Sequence, residues 1–195
     1  MLSLASRRCN PFNIQSMSNN ISKEKKLAFL LRHDTNYAFD SHGWREVSDL
    51  VKNHGFSREE LISIVAESNK QRFEFSEDRQ CIRARQGHSI NVDVELKEEI
   101  PPEYLYHGTS ASLVSKIMKG GLCRMSRQYV HLSVDESMAM QVGARRKCEV
   151  AILRILAQKM RKDGCKFWLS RNNVWLTEKV PPQYLEPYNI NSASN

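Results

Sequence analysis

Pro101-Pro102 stands near the middle of this 195-residue chain, and neither an uninterrupted helix nor a central strand can run through it. The hydrophobic period differs on its two sides. Before it, apolar residues recur mostly at helical spacing; after it, short alternating or continuous apolar runs come between glycines. Two lobes are therefore expected, covering residues 22–100 and 101–187, with tails at 1–21 and 188–195.

In the first lobe a helix is expected to open at Ser22, where Leu27, Leu30 and Leu31 give the i, i+3, i+4 stripe and Arg32-His33 end it. Val47, Leu50 and Val51 predict a short second helix that stops near Gly55. Ser57 followed three residues later by Glu60 is a capping box, and Leu61, Ile64 and Val65 supply the apolar face of a third helix. Phe73 and Phe75 then alternate with polar residues, as do Ile82 and Ala84 beyond a Ser76–Arg79 turn, which predicts a hairpin. Three helices followed by a hairpin resemble a winged helix.

In the second lobe strands are expected at Tyr104–His107, Tyr129–Leu132, Val150–Ile155 and Val174–Leu176. A helix ending at Gly120-Gly121 and another over Asp135–Val142 lie between them. The fold class is α+β.

Composition narrows the partner. The 41% apolar content is enough to bury a core, and the apolar runs Leu27–Leu31 and Val150–Leu156 are far below the roughly 20 residues that span a bilayer. Five cysteines without a C-x-x-C pair suggest neither zinc nor a disulfide framework, and a reducing compartment fits them. The charge of +7 is uneven: residues 101–195 hold 14 Lys/Arg against 7 Asp/Glu, so a polyanion is the expected partner. Residues 1–20 hold no acid and two arginines, which suits a disordered tail or a mitochondrial transit segment. Met17 would then be an internal start that removes it.

Taken singly, Arg32 and His33 read as cations favoured at a helix C-terminus, and Arg72 and Arg127 as surface charges. Brought together, guanidinium groups would clamp a phosphate through paired donors. His107-Gly108-Thr109 ends one strand, with a glycine that would let backbone approach a planar ligand and a histidine able to bind a sugar hydroxyl. His131 and Ser133 repeat the arrangement, just before a helix start suited to pyrophosphate. The chain has no G-x-G-x-x-G and no G-x-x-x-x-G-K-[ST], so neither a Rossmann site nor a P-loop is supported, and no carboxylate cluster suggests a metal.

From residue 23 to 186 the chain resembles the tRNA (RNA) 2′-phosphotransferases. The resemblance rests on ordered motifs: LLRH at Leu30–His33, GW at Gly43-Trp44, KQRF at Lys70–Phe73, IRARQGHS at Ile82–Ser89, PPEYLYHGT at Pro101–Thr109, RQYVHLS at Arg127–Ser133, VGAR at Val142–Arg145 and NVWLT at Asn173–Thr177. One departure is Thr35, where relatives often have proline, in a loop near His33.

The resemblance implies an N-terminal winged-helix lobe that meets RNA and a C-terminal lobe like ADP-ribosyltransferases that holds NAD. Its catalytic residues map onto Arg32, His33, Arg72 and Arg127. Its NAD contacts map onto His107, Gly108, Thr109, His131 and Ser133, and Arg83, Arg85, Gln86, His88 and Ser89 are expected near RNA. The implied reaction removes the internal 2′-phosphate left at a splice junction of ligated tRNA. That phosphate attacks C1″ of NAD and expels nicotinamide, and the 2″-hydroxyl of the ADP-ribosylated RNA then attacks phosphorus, releasing RNA 2′-OH and ADP-ribose 1″,2″-cyclic phosphate. No metal is implied. A monomer in the cytoplasm or nucleus is expected, with a mitochondrial form through residues 1–16.

Two rivals are an ADP-ribosyltransferase that stops after the first step and a non-catalytic winged-helix protein. Protein-modifying relatives of the former carry a late glutamate, where this chain reads Asn173-Val174-Trp175-Leu176.

Overall fold

The computed structural model describes residues 11–68, 70–143 and 149–190. They form a mixed α/β fold with six α-helices and several small antiparallel sheets, counted among the described residues.

The first half contains α1 (Pro11–Arg32), β1 (Arg45–Glu46), α2 (Val47–His54), α3 (Arg58–Glu67), β2 (Phe73–Phe75) and β3 (Cys81–Ala84). The expected hairpin is β2 with β3, pairing Phe73 with Ala84 and Phe75 with Ile82, and β1 adds on the other edge of β3. Leu27, Leu30 and Leu31 of α1 bury against Leu50, Leu61, Ile64, Phe73 and Ile82, so the apolar stripe read from the sequence is the core face. Ser57 and Glu60 exchange both hydrogen bonds of the capping box. One boundary moves: α1 begins at Pro11 rather than Ser22. A proline without an N–H is tolerated in a helix's first turn, and the Ser- and Asn-rich, acid-free composition of residues 1–20 reads as a tail instead.

The second half contains β4 (Lys97–Glu98), β5 (Leu105–Ser110), α4 (Val114–Gly120), β6 (Leu122–Cys123), β7 (Val130–Leu132), α5 (Glu136–Gly143), β8 (Val150–Ile155), α6 (Ala157–Lys162), β9 (Trp168–Leu169), β10 (Trp175–Thr177), β11 (Lys179–Val180) and β12 (Leu185–Ile190). Strands run in the orders β12-β8-β5, β4-β9-β10-β7 and β11-β6. Leu105, Leu132, Ile155, Met160, Phe167 and Trp175 lie in their shared core.

Two boundaries differ from the sequence reading. The prolines do not mark the crossing between halves, because β4 lies before them and pairs with β9. Residues 188–190 are not a tail but the end of β12, whose pairing with β8 shifts register between Pro187 and Asn189. A proline inside a strand is tolerated at an edge, where its missing donor faces no partner. Among the described residues no helix is long and apolar enough to cross a membrane.

Candidate active site where the two halves meet

The end of α1 is fixed from two directions. Arg45, almost wholly buried, donates to the Leu30 carbonyl at 3.0 Å, to Asp34 at 2.8 Å and to Asp49 at 2.7 Å. These bonds satisfy a carbonyl that the helix leaves open and neutralise two carboxylates. From the other side the Gln86–Ser89 segment, following β3, folds back over the helix end: Ser89 N–H donates to the Arg32 carbonyl at 3.0 Å, and its hydroxyl lies 2.9 Å from His33 Nδ1. Gly87 permits the approach. Its φ is +91°, and an added Cβ would stand 3.4 Å from Arg32 Nε.

The same segment reaches the second half. The His88 carbonyl accepts from Gln128 N–H at 3.0 Å, and Gln86 Oε1 lies 2.7 Å from His131 Nε2. An amide oxygen only accepts, so His131 carries its proton on Nε2 and offers Nδ1 to Arg127 Nη1, 3.3 Å away. Burial, with Arg127 and Arg32 adding to it, lowers the His131 pKa to about 3 and keeps the ring neutral.

Tyr106 and Ser133 exchange two main-chain hydrogen bonds of 2.9 Å, which sets the ends of β5 and β7 side by side. His107 Nδ1 lies 3.0 Å from the His131 carbonyl and must donate to it. Buried Thr109 lies two residues along the same strand. Gly108 has another task. A Cβ there would overlap the Ala139 carbonyl of α5, so its missing side chain admits the helix rather than a planar ligand on that side. Ala144 and Arg145 of the VGAR motif lie outside the described residues.

Arg32 and Arg127, from opposite halves, both lower the His33 pKa, although burial of the imidazole is the larger cause. Both guanidinium groups thus act electrostatically on one ring. Arg72 pairs with Glu24 on α1, and Ser68 Oγ lies 3.2 Å from the same carboxylate. Arg32 itself rests over the ring of Phe73, with its guanidinium carbon 5.9 Å from the centroid.

Of the residues expected near RNA, Arg83 is buried, bonded to Glu74 at 2.7 Å and Glu95 at 3.1 Å and stacked on Trp44. Arg85 also bonds Glu74, at 3.1 Å, and His88 is buried with its pKa lowered to about 3, chiefly by desolvation. Gln86 and Ser89 instead hold the two histidines His131 and His33. Sequence reasoning missed Arg45 and Glu74, which carried no motif of their own, and the contact of Asn172 with the Lys70 carbonyl at 2.9 Å. Among the described residues no three His, Cys, Asp or Glu side chains cluster to hold a metal ion.

Comparison with known proteins gives this arrangement a family. A protein of Flavobacterium johnsoniae named "Probable RNA 2′-phosphotransferase" is 44% identical over 180 residues, which is 87% of this chain and 98% of that one. Proteins with the same name from Fusobacterium nucleatum and Escherichia coli are 41% identical over 178 residues and 42% over 171. They cover 87% and 83% of this chain, and 99% and 92% of their own lengths. Residues 18–179 match the family described as RNA 2′-phosphotransferase, Tpt1 / KptA family, and the chain belongs to it.

Proposed function

We propose that this RNA 2′-phosphotransferase uses NAD as its acceptor, removing an internal 2′-phosphate from ligated tRNA or a similar RNA through a 2′-phospho-ADP-ribosylated intermediate. The reading takes the first half as a winged-helix lobe for RNA and the second as an ADP-ribosyltransferase-like lobe for NAD. The observation that carries it is the Gln86–Ser89 segment, which bonds His33 at the end of α1 and the neutral His131 beside Arg127, and so joins residues of both halves in one site.

Arg32 and Arg127 bind the phosphate and reduce its repulsion from the dinucleotide, with Arg72 joining them once it leaves Glu24. A phosphate is already ionised, so attack on C1″ needs alignment more than a base. His107 orients the nicotinamide ribose through Nε2, and His131, held by Gln86, supports His107 through its carbonyl. Thr109 and Ser133 complete that side, while Gly108 acts by admitting α5. His33 sits where it can give or share a proton when the 2″-hydroxyl attacks phosphorus. No metal enters this scheme, and the chain acts as a monomer, in the cytoplasm or nucleus, with residues 1–16 able to direct a mitochondrial form.

The test is incubation with RNA bearing one internal 2′-phosphate, with and without NAD, following the RNA 2′-hydroxyl and ADP-ribose 1″,2″-cyclic phosphate. The reading expects both products only when NAD is present. Phosphate loss without NAD overturns it.

A further inference from the structure

The backbone that carries Arg72 is held partly from the other half of the molecule. Lys70, Gln71 and Arg72 precede β2, and Gln71 lies in the left-handed region at φ 42°. Within its own half, the Arg72 carbonyl accepts from Arg85 N–H at 2.9 Å, and the Gln71 side chain accepts from Arg85 Nη1 at 2.9 Å. The carbonyl of Lys70 accepts from Asn172 Nδ2 at 2.9 Å. That asparagine belongs to the Ser170–Asn173 turn between β9 and β10.

The turn is built to hold this amide. Ser170 is buried; its Oγ accepts from Val174 N–H at 2.9 Å and lies 2.8 Å from Asn172 Oδ1. A hydroxyl donating to Oδ1 leaves Nδ2 as the group that faces Lys70. Asn173 adopts φ 59°, which closes the turn. Next to it, Arg171 Nη1 lies 3.2 Å from both carboxylate oxygens of Glu74, the second residue after Arg72. Asn172 and Arg171 therefore grip the chain on either side of Arg72.

The turn is also continuous with the histidine strand, because β10 pairs β9 on one edge and β7 on the other, with Leu176 opposite His131. One small sheet thus carries both His131 and the clasp on the Arg72 segment.

We infer that the Ser170–Asn173 turn is the positioning device for Arg72, with Asn172 acting through the Lys70 carbonyl and Arg171 through Glu74. It sets Arg72 at a fixed distance from the strand that carries His131. The inference rests on the reading of Arg72 as a phosphate ligand. Asn172 touches no reacting atom in this scheme, and its effect passes through the backbone of residues 70–72.

The experiment is a double-mutant cycle on the full chain, with single-turnover rates of 2′-phosphate removal for the unsubstituted protein, Asn172→Ala, Arg72→Ala and both together. Misplacement of a reacting group by about 1 Å can cost roughly a hundredfold, so Asn172→Ala alone is expected to slow the reaction on the order of tenfold or more. The KM for NAD should not change, and ADP-ribosylated RNA should accumulate. On the Arg72→Ala background the same substitution is expected to change the rate less than about twofold, because the group it positions is gone. Equal loss on both backgrounds, or a rise in the KM for NAD with kcat intact, overturns the inference while leaving the NAD reading in place. An unsubstituted chain that fails to remove the phosphate overturns both.

Discussion

Ser89 and His33 meet through Oγ and Nδ1 at 2.9 Å, while the main chain of the same serine bonds the Arg32 carbonyl at 3.0 Å. One residue thus orients the imidazole and closes the helix that carries it. Ser89→Ala removes only the side-chain contact, and a hydrogen bond of this kind contributes about 1 kcal/mol, or roughly fivefold in rate. The expected result is a kcat lowered by about that factor with an unchanged KM for NAD, and retention of most activity in Ser89→Thr. Steady-state kinetics on the two variants checks it.

Gly108→Ala tests the packing of α5 on β5. The added methyl would overlap the Ala139 carbonyl, so the helix must move. Overpacking of this sort costs about 1–3 kcal/mol, and each kcal/mol lowers Tm by roughly 2–4 °C in a chain of this size. A thermal scan should show the drop. The KM for NAD should rise with it, since the same strand carries His107.

Acid should destabilise the fold through two buried rings. His88 and His131 have folded-state pKa values lowered to about 3, chiefly by burial. Between that value and the unfolded pKa of about 6.5, the unfolded chain binds protons that the folded chain does not, so stability rises with pH across this window and is lost as pH falls through it. His88→Gln removes one of these protons. Urea unfolding at pH 4.5 and 5.5 should then show a gain on raising pH that is smaller than in the unsubstituted chain by about 1.4 kcal/mol. An identical gain in both proteins would contradict the neutral, buried assignment of His88.

The elements that carry a complete local signal were legible in the sequence. The stripe of Leu27, Leu30 and Leu31, the Ser57–Glu60 box and the alternation around Phe73 and Ile82 each state their own period or cap, and α1, α3 and the β2–β3 hairpin follow them. The strands β4, β6 and β11 escaped because each is two residues long and exists through a partner distant in sequence, and β9 is equally short although its partner β10 follows it closely. At the candidate site, residue types suggested arginines for a phosphate, but no local pattern distinguishes an arginine left near the surface from one paired inside. Arg83 shares alternation and charge with its neighbours and is buried by Glu74, Glu95 and Trp44. The pairing of Arg72 with Glu24 spans 48 positions and has no trace in either segment alone.

The most direct measurement of the central claim is stoichiometric: nicotinamide released per 2′-phosphate removed from a defined RNA, counted in the same reaction. Transfer to NAD predicts one nicotinamide for each phosphate, falling together in Arg127→Ala. Removal of phosphate with no nicotinamide, or release of nicotinamide that leaves the phosphate on the RNA throughout the reaction, contradicts it.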